Sequence, residues 1–365
     1  MKRMKIATVV GARPQFIKAA VVSRELRKKH EEILIHTGQH FDENMSDIFF
    51  REMNIPKPDY NLGIAGGTHG QMTGDMMIAI EKALLKEKPD ALLVYGDTNS
   101  TIAAALAAVK LHIPVCHVEA GNRVGTLTNP EEVNRICTDH VSSLLMYCTE
   151  SAEVFLQKEG LIDRAFLVGD PMYDAFLYYS EWLKKEHLEV VTDLFGKEVD
   201  LPREFYYMTC HREENTIHDE RLIEILEAMN SLESPTIYPV HPRNREQVKR
   251  LCGQNLYNNI ITTQPVGYLR SIDFVRRAKK VVTDSGGVQR EAFFSRVQCV
   301  TVLDFVCWPE TMVGKVNQLA KPDRKDIISK LSSKINWNHE YQPFGNGHSA
   351  VKIVKLIEDK VVKNF

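Results

Sequence analysis

Short clusters of polar and titratable residues punctuate this chain, each directly after an apolar or β-branched run. The fullest is VVTDSGGVQREA, residues 281–292, where two valines lead into Thr283, Asp284 and Ser285 and two glycines open a helical pattern. A strand that hands over to a helix through small residues can seat an anion, because the first helical N–H groups are unpaired and the helix dipole adds partial positive charge. Gly286 and Gly287 let a phosphate approach the backbone, and Ser285 adds a hydroxyl. Glu291, about one turn into the helix, suits the hydroxyls of a ribose. An ordinary strand-to-helix turn with a solvated glutamate fits the same residues, since short glycine motifs recur by chance.

The other clusters carry further candidates. Arg13 stands before a helix that Pro14 suits at its first turn, and Lys18 follows about a turn later. Each meets a phosphate or sugar oxygen, or is simply solvated. Asp97 either caps the helix that begins around Thr98 and Asn99 or serves as an acid/base. Glu119 ends a buried-looking strand. Glu131 and Glu132 follow Pro130 at a helix start, where pairing with the helix dipole is the plainer role. His211 and His241 end strands, as catalysts or as hydrogen-bonded core residues. Metal motifs fail: HTGQH (His36 to His40) lacks the HExxH glutamate, and the HxE of His117 and Glu119 has no PCxxC after it. There is no P-loop, and no GxGxxG follows the first strand.

Positioning these groups requires strands that end where they begin. KIATVV, EILIHT, ALLVYG, IPVCHV, LLMYCT and AFLVGD read as strands, with helical patterns between them; REFYYMTC, TIYPV, NNIITT, KKVVTD and QCVTVL repeat the scheme. Strand–helix alternation predicts parallel sheets covered on both faces, with ligand sites at the carboxyl ends of the strands. The clusters at 11–14, 37–40, 96–100, 117–121, 210–213, 241–243 and 284–287 all fall at such ends, which predicts a cleft between two facing domains. GDPMYDA (169–175) is the expected seam, and the closing amphipathic helix is expected to cross back.

At 365 residues the chain has room for two cores. Its 44% hydrophobic and 26% charged residues are those of an ordinary globular protein, and a net charge of −2 gives no reason to expect nucleic acid or a membrane as partner. The N-terminal apolar run is too short for a signal peptide, and the seven cysteines contain no CxxC, so a reducing cytoplasm is expected. Cys116, Cys148, Cys210 and Cys299 sit in apolar runs and read as core filler.

GARPQFIK, HTGQHFD, VYGDTNST, HVEAG, PEEVNR, CHREEN, YPVHPR, TDSGGVQREA, WPET and GNGHSA together resemble the non-hydrolysing UDP-N-acetylglucosamine 2-epimerases, collinearly and over nearly the whole chain. The resemblance implies an α/β fold of GT-B type, two Rossmann-like parallel-sheet domains facing a central cleft, usually in a homodimer. It divides the chain into an N-terminal catalytic domain, 1–170 with the helix 349–365, and a UDP-binding domain, 171–348. It assigns Asp97, Glu119, Glu131 and His211 to catalysis, with Arg13, Lys18, Arg135 and His241 at the substrate. Ser285, Gly286 and Gly287 take the diphosphate and Glu291 the ribose. The partner implied is a UDP-sugar; no cofactor and no metal are expected. The implied reaction eliminates UDP to a 2-acetamidoglucal and re-adds it, inverting C2. A hydrolysing epimerase, a GT-B glycosyltransferase and a non-catalytic nucleotide-sugar sensor are the rivals. Asn122 after HVEAG, a shorter 123–130 loop and GGTHGQMT (66–73) depart from the commonest pattern, toward relatives acting on UDP-diacetamido-uronic acids. Many family members carry an activating second UDP-sugar site with an Arg-Gln pair; here the pair reads Gly70-Gln71, and Phe41-Asp42 follows Gln39-His40. Without that arginine, hyperbolic kinetics are expected.

Overall fold

The computed structural model describes residues 3–39, 52–183, 189–253 and 256–364; His40, Phe41 and Asp42 lie outside the described residues. The chain forms two compact units, one of residues 1–177 with 342–365 and one of residues 178–341.

The first unit is built on β1 (Lys5–Val10), β2 (Glu31–His36), β3 (Tyr60–Asn61), β4 (Ala91–Tyr95), β5 (Val115–Val118), β6 (Leu144–Tyr147) and β7 (Ala165–Leu167). All pairs are parallel, in the order β3-β2-β1-β4-β5-β6-β7. Its central strands read as near-continuous apolar runs because helices cover both faces. On one face the helix Asn99–Lys110 lays Ala103, Ala104, Ala107 and Ala108 against the sheet. Those small side chains bring it close to Met76, Ile80 and Leu84 of the helix His69–Glu87.

In the second unit a hairpin of β8 (Val190–Thr192) and β9 (Glu198–Asp200) precedes a second parallel sheet. That sheet comprises β10 (Tyr206–Thr209), β11 (Thr236–Pro239), β12 (Ile260–Thr263), β13 (Val281–Thr283), β14 (Cys299–Val302) and β15 (Asn317–Ala320), ordered β12-β11-β10-β13-β14-β15. Its core is a continuous cluster including Met208, Tyr238, Val282, Val300 and Leu226.

Both sheets therefore reverse their winding at one place, between β1 and β4 and between β10 and β13. At such a reversal the loops leaving adjacent strands diverge and open a crevice at the carboxyl ends. The predicted strands are found. The expected seam is not a linker: Pro171 opens a 13-residue helix, Pro171–Leu183, as Asp170 Oδ1 accepts from the Met172 amide at 2.8 Å. No described helix is long and apolar enough to cross a membrane.

Candidate active site

At the β1/β4 reversal the backbone is drawn tight. A Cβ on Gly11 would fall inside the Ser100 and Thr37 hydroxyls, so only glycine fits there. Gln15 holds the two loops together. Its Oε1 accepts from the Gly11 and Ala12 amides at 2.7 and 2.9 Å, and its Nε2 donates to the Tyr95 carbonyl at 2.8 Å. This fixes the start of the helix Arg13–Leu26 and aims Lys18 inward. Lys18 is 2% exposed and ion-paired with Glu119, which is itself buried and sits at φ 72°, a left-handed conformation that a glutamate rarely adopts. A Cβ on Gly96 would lie 3.6 Å from Lys18 Nζ, so the lysine also borders the turn that presents Asp97.

Asp97 does not cap the following helix. Thr98 does, accepting from the Thr101 amide at 3.3 Å, which leaves the Asp97 carboxylate free to meet Arg135 at 2.6 Å. The guanidinium also holds Glu132 at 2.8 Å. Arg135 and both glutamates share the helix Pro130–Val141, whose first turn is capped by Asn129. The adjacent glutamates differ sharply. Glu132 is buried, and its Oε1 accepts from the Val124 and Gly125 amides at 2.9 Å, so it is structural. Glu131 points to solvent with no ion pair among the described residues.

At the β10/β13 reversal Asp284 is the hub. Its Oδ2 accepts from the His211 and Arg212 amides, each at 2.8 Å, while His211 Nδ1 lies 3.2 Å from Oδ1. Burial works against the charge of Asp284, but His211 and these two amides hold its carboxyl down at about 2. The His211 ring stacks on His241 with centroids 5.6 Å apart, and Arg243 donates to the His211 carbonyl at 3.1 Å. Ser285 caps the helix Gly286–Phe294 by accepting from the Val288 amide at 3.4 Å, which leaves its own proton to donate. Glu291 is buried, and Arg290 lies over the Trp308 ring at 4.0 Å. The edge therefore gathers Arg212, Arg243, His211 and a helix N-terminus, a set suited to a diphosphate.

Among the described residues, one group could reach a metal ion: Glu119, Cys148 and Asp170, whose ligating atoms lie within 4.8 Å of one another. Lys18 already supplies a cation to Glu119, and Asp170 is engaged as the cap of the helix Pro171–Leu183. The cluster is accounted for without a metal.

The sequence profile of UDP-N-acetylglucosamine 2-epimerases matches residues 24–358. The chain belongs to the UDP-N-acetylglucosamine 2-epimerase family. A homologue of that enzyme from Methanococcus maripaludis is 46% identical, over 98% of this chain and 100% of its own length. The UDP-2,3-diacetamido-2,3-dideoxy-D-glucuronate 2-epimerase of Pseudomonas aeruginosa is 44% identical, over 97% and 99%. Among solved structures, Methanocaldococcus jannaschii UDP-GlcNAc 2-epimerase in complex with UDP-GlcNAc and UDP superposes with a TM-score of 0.87. It is 39% identical, over 98% of this chain and 100% of that one. The two parallel sheets are those of the GT-B fold that the family carries.

In this epimerase-family chain the first unit brings Lys18 to Glu119 and Arg135 to Asp97, and places Arg13, partly buried, at the same strand edge. The second unit brings His211, His241 and Ser285 around Asp284. Sequence reasoning passed over Gln15, Asp284 as a hub, and the pairing of His117, weighed there only as a metal ligand, with Asp139 and Arg123. Asp284 and His117 carried a sequence signal, their places at strand ends; Gln15, Arg123 and Asp139 take their roles from contacts distant in sequence.

Proposed function

We propose that this protein is a non-hydrolysing 2-epimerase of a UDP-N-acetylhexosamine, interconverting UDP-GlcNAc and UDP-ManNAc. The C2 hydrogen of the sugar is not adjacent to a carbonyl, so a base cannot abstract it alone. Loss of that proton with breakage of the C1–O bond to UDP gives 2-acetamidoglucal and free UDP inside the site. UDP then adds back at C1 while C2 takes a proton from the opposite face. Two acid/base groups on opposite faces are needed, with carboxylates to stabilise positive charge at C1 and cations to stabilise the leaving diphosphate. Asp97, Glu119, Glu131 and His211 are our candidates for the first two tasks. Arg13, Lys18 and Arg135 line the sugar; His241, Ser285, Gly286 and Gly287 hold the diphosphate, and Glu291 takes the ribose. The observation that carries this reading is the pair of carboxylates at one strand edge, each with its own cation: Asp97 with Arg135 and Glu119 with Lys18. A nucleotide-sugar sensor has no use for such a set. We further propose a cytoplasmic homodimer that supplies surface-polysaccharide synthesis.

The test is incubation with UDP-GlcNAc in D₂O, followed by NMR. Deuterium at C2 in both epimers, with UDP still attached, is the expected result. Stoichiometric free UDP would indicate a hydrolysing epimerase, and transfer that requires an acceptor would indicate a glycosyltransferase. A second reading has specific support: the 44% identity to the P. aeruginosa enzyme makes UDP-2,3-diacetamido-2,3-dideoxyglucuronate the next substrate to try. Label in that sugar and none in UDP-GlcNAc would select it.

A further inference from the structure

Strand β5 carries a histidine for which the proposed reaction has no task. His117 is completely buried, and each ring nitrogen lies 2.7 Å from an oxygen, Nδ1 from Asp139 Oδ1 and Nε2 from the Gly96 carbonyl. A carbonyl oxygen only accepts, so Nε2 must bring a proton. Asp139 Oδ2 accepts from the Gly121 amide at 3.0 Å and lies 2.8 Å from Arg123 Nη1. Burial opposes its charge; besides His117, the Arg123 guanidinium and the Gly121 amide, donors whatever the state of His117, favour the ionised Asp139 carboxylate. An ionised carboxylate also only accepts, so Nδ1 must bring a proton too. A neutral imidazole owns one N–H and would leave one of these contacts as two facing lone pairs.

We propose that His117 is a buried imidazolium, and that it is a positioning residue for the acid/base groups; the second part rests on the epimerase reading. The surrounding charges balance. His117 faces Asp139, Asp139 faces Arg123, and Arg123 donates to both Glu159 oxygens at 2.8 Å, with the exposed His140 3.2 Å from the same carboxylate. Two cations and two carboxylates cancel across the network, which runs from the buried His117 and Asp139 out to Glu159, a quarter exposed. The proton joins three elements. Through Gly96 it pins the turn that presents Asp97. Through Asp139 it grips the helix carrying Glu131 and Arg135, and Asp139 in turn holds Gly121, two residues beyond Glu119. Withdrawing the proton releases either the turn or the helix.

The charge is tested on the intact wild-type protein labelled with ¹⁵N-histidine, by long-range ¹H–¹⁵N correlation near neutral pH. One of the 13 histidines, absent from the spectrum of H117Q, is expected to carry protons on both ring nitrogens. An unprotonated nitrogen in that residue overturns the proposal, whatever the activity. The positioning role is tested with D139N and H117N, followed by C2 deuteration. Because displacement of a reacting group by about 1 Å costs up to about 100-fold in rate, we expect kcat to fall by about ten-fold or more with KM little changed. UDP affinity, set on the other unit, stays put. A lowered melting temperature with kcat intact would make the network structural only and overturn that role. A wild-type protein that labels no UDP-sugar removes the epimerase reading, while the nitrogen spectrum still decides the charge.

Discussion

Asp97 and Glu119 are proposed for parallel roles, but their surroundings make different predictions for their amides. Asp97 is a quarter exposed and its partner Arg135 keeps Glu132, so Asp97→Asn leaves no charge stranded. Turnover is expected to fall by about 100-fold or more with melting temperature and UDP binding unchanged, read from deuteration, calorimetry and titration with UDP. Glu119→Gln strands the Lys18 ammonium, 2% exposed, and should also cost about 3 kcal/mol of stability. A Glu119→Gln protein that melts like wild type would mean that Lys18 has another partner. On the second unit, Ser285→Ala and Glu291→Gln should weaken UDP binding and leave the first unit's melting untouched. Residues of this kind were legible in the sequence because the chemistry selects their types. What each touches was not. Asp97 and Thr98 are both good caps, and only the backbone settles that Thr98 takes the amide and Asp97 the arginine.

The strands and long helices were readable from alternation, since a parallel sheet buried on both faces leaves apolar runs of little else. The elements that escaped are those whose residues carry no period. β3 has two residues, β15 reads NQLA, and the helix Pro171–Leu183 starts with the Gly-Asp-Pro that elsewhere marks a turn. The His117–Asp139 contact escaped for a related reason: it joins a strand to the far end of the next helix, and neither residue breaks its local pattern. Element placement also yields a prediction at Gly11. An alanine there must push apart the Ser100 and Thr37 hydroxyls, and with Ser100 the start of the helix Asn99–Lys110. Gly11→Ala should destabilise the protein by about 2 kcal/mol and abolish turnover; a soluble, active variant would show that the loop has slack.

One contribution to acid sensitivity comes from the second unit's architecture. The Asp284 carboxyl sits at about 2 in the folded protein, below its ordinary 3.8. A depressed carboxyl contributes stability that is complete above the unfolded value and is lost as pH falls from about 4 to about 2, here on the order of 2 kcal/mol. Denaturant midpoints across that window should fall for the wild type and flatten in Asp284→Asn. Kinetic behaviour also belongs to the whole molecule. At the start of the helix His69–Glu87 the residues are Gly70 and Gln71, with the Gln71 amide capped by Thr68 at 3.3 Å and no arginine there to hold a second diphosphate. Initial rates should follow a hyperbola, and the reverse reaction should need no added UDP-GlcNAc; a sigmoidal curve counts against this. Finally, the last helix, Ser349–Asn364, belongs to the first unit: it buries Ile353, Val354 and Ile357, and Glu358 reaches the buried His30 ring at 3.1 Å. A ribosome therefore makes most of this unit before the second and completes it only after the whole of the second unit has emerged and had time to fold. Until then the unit keeps an open apolar flank, and the nascent chain must be shielded from its neighbours for the full length of an inserted unit.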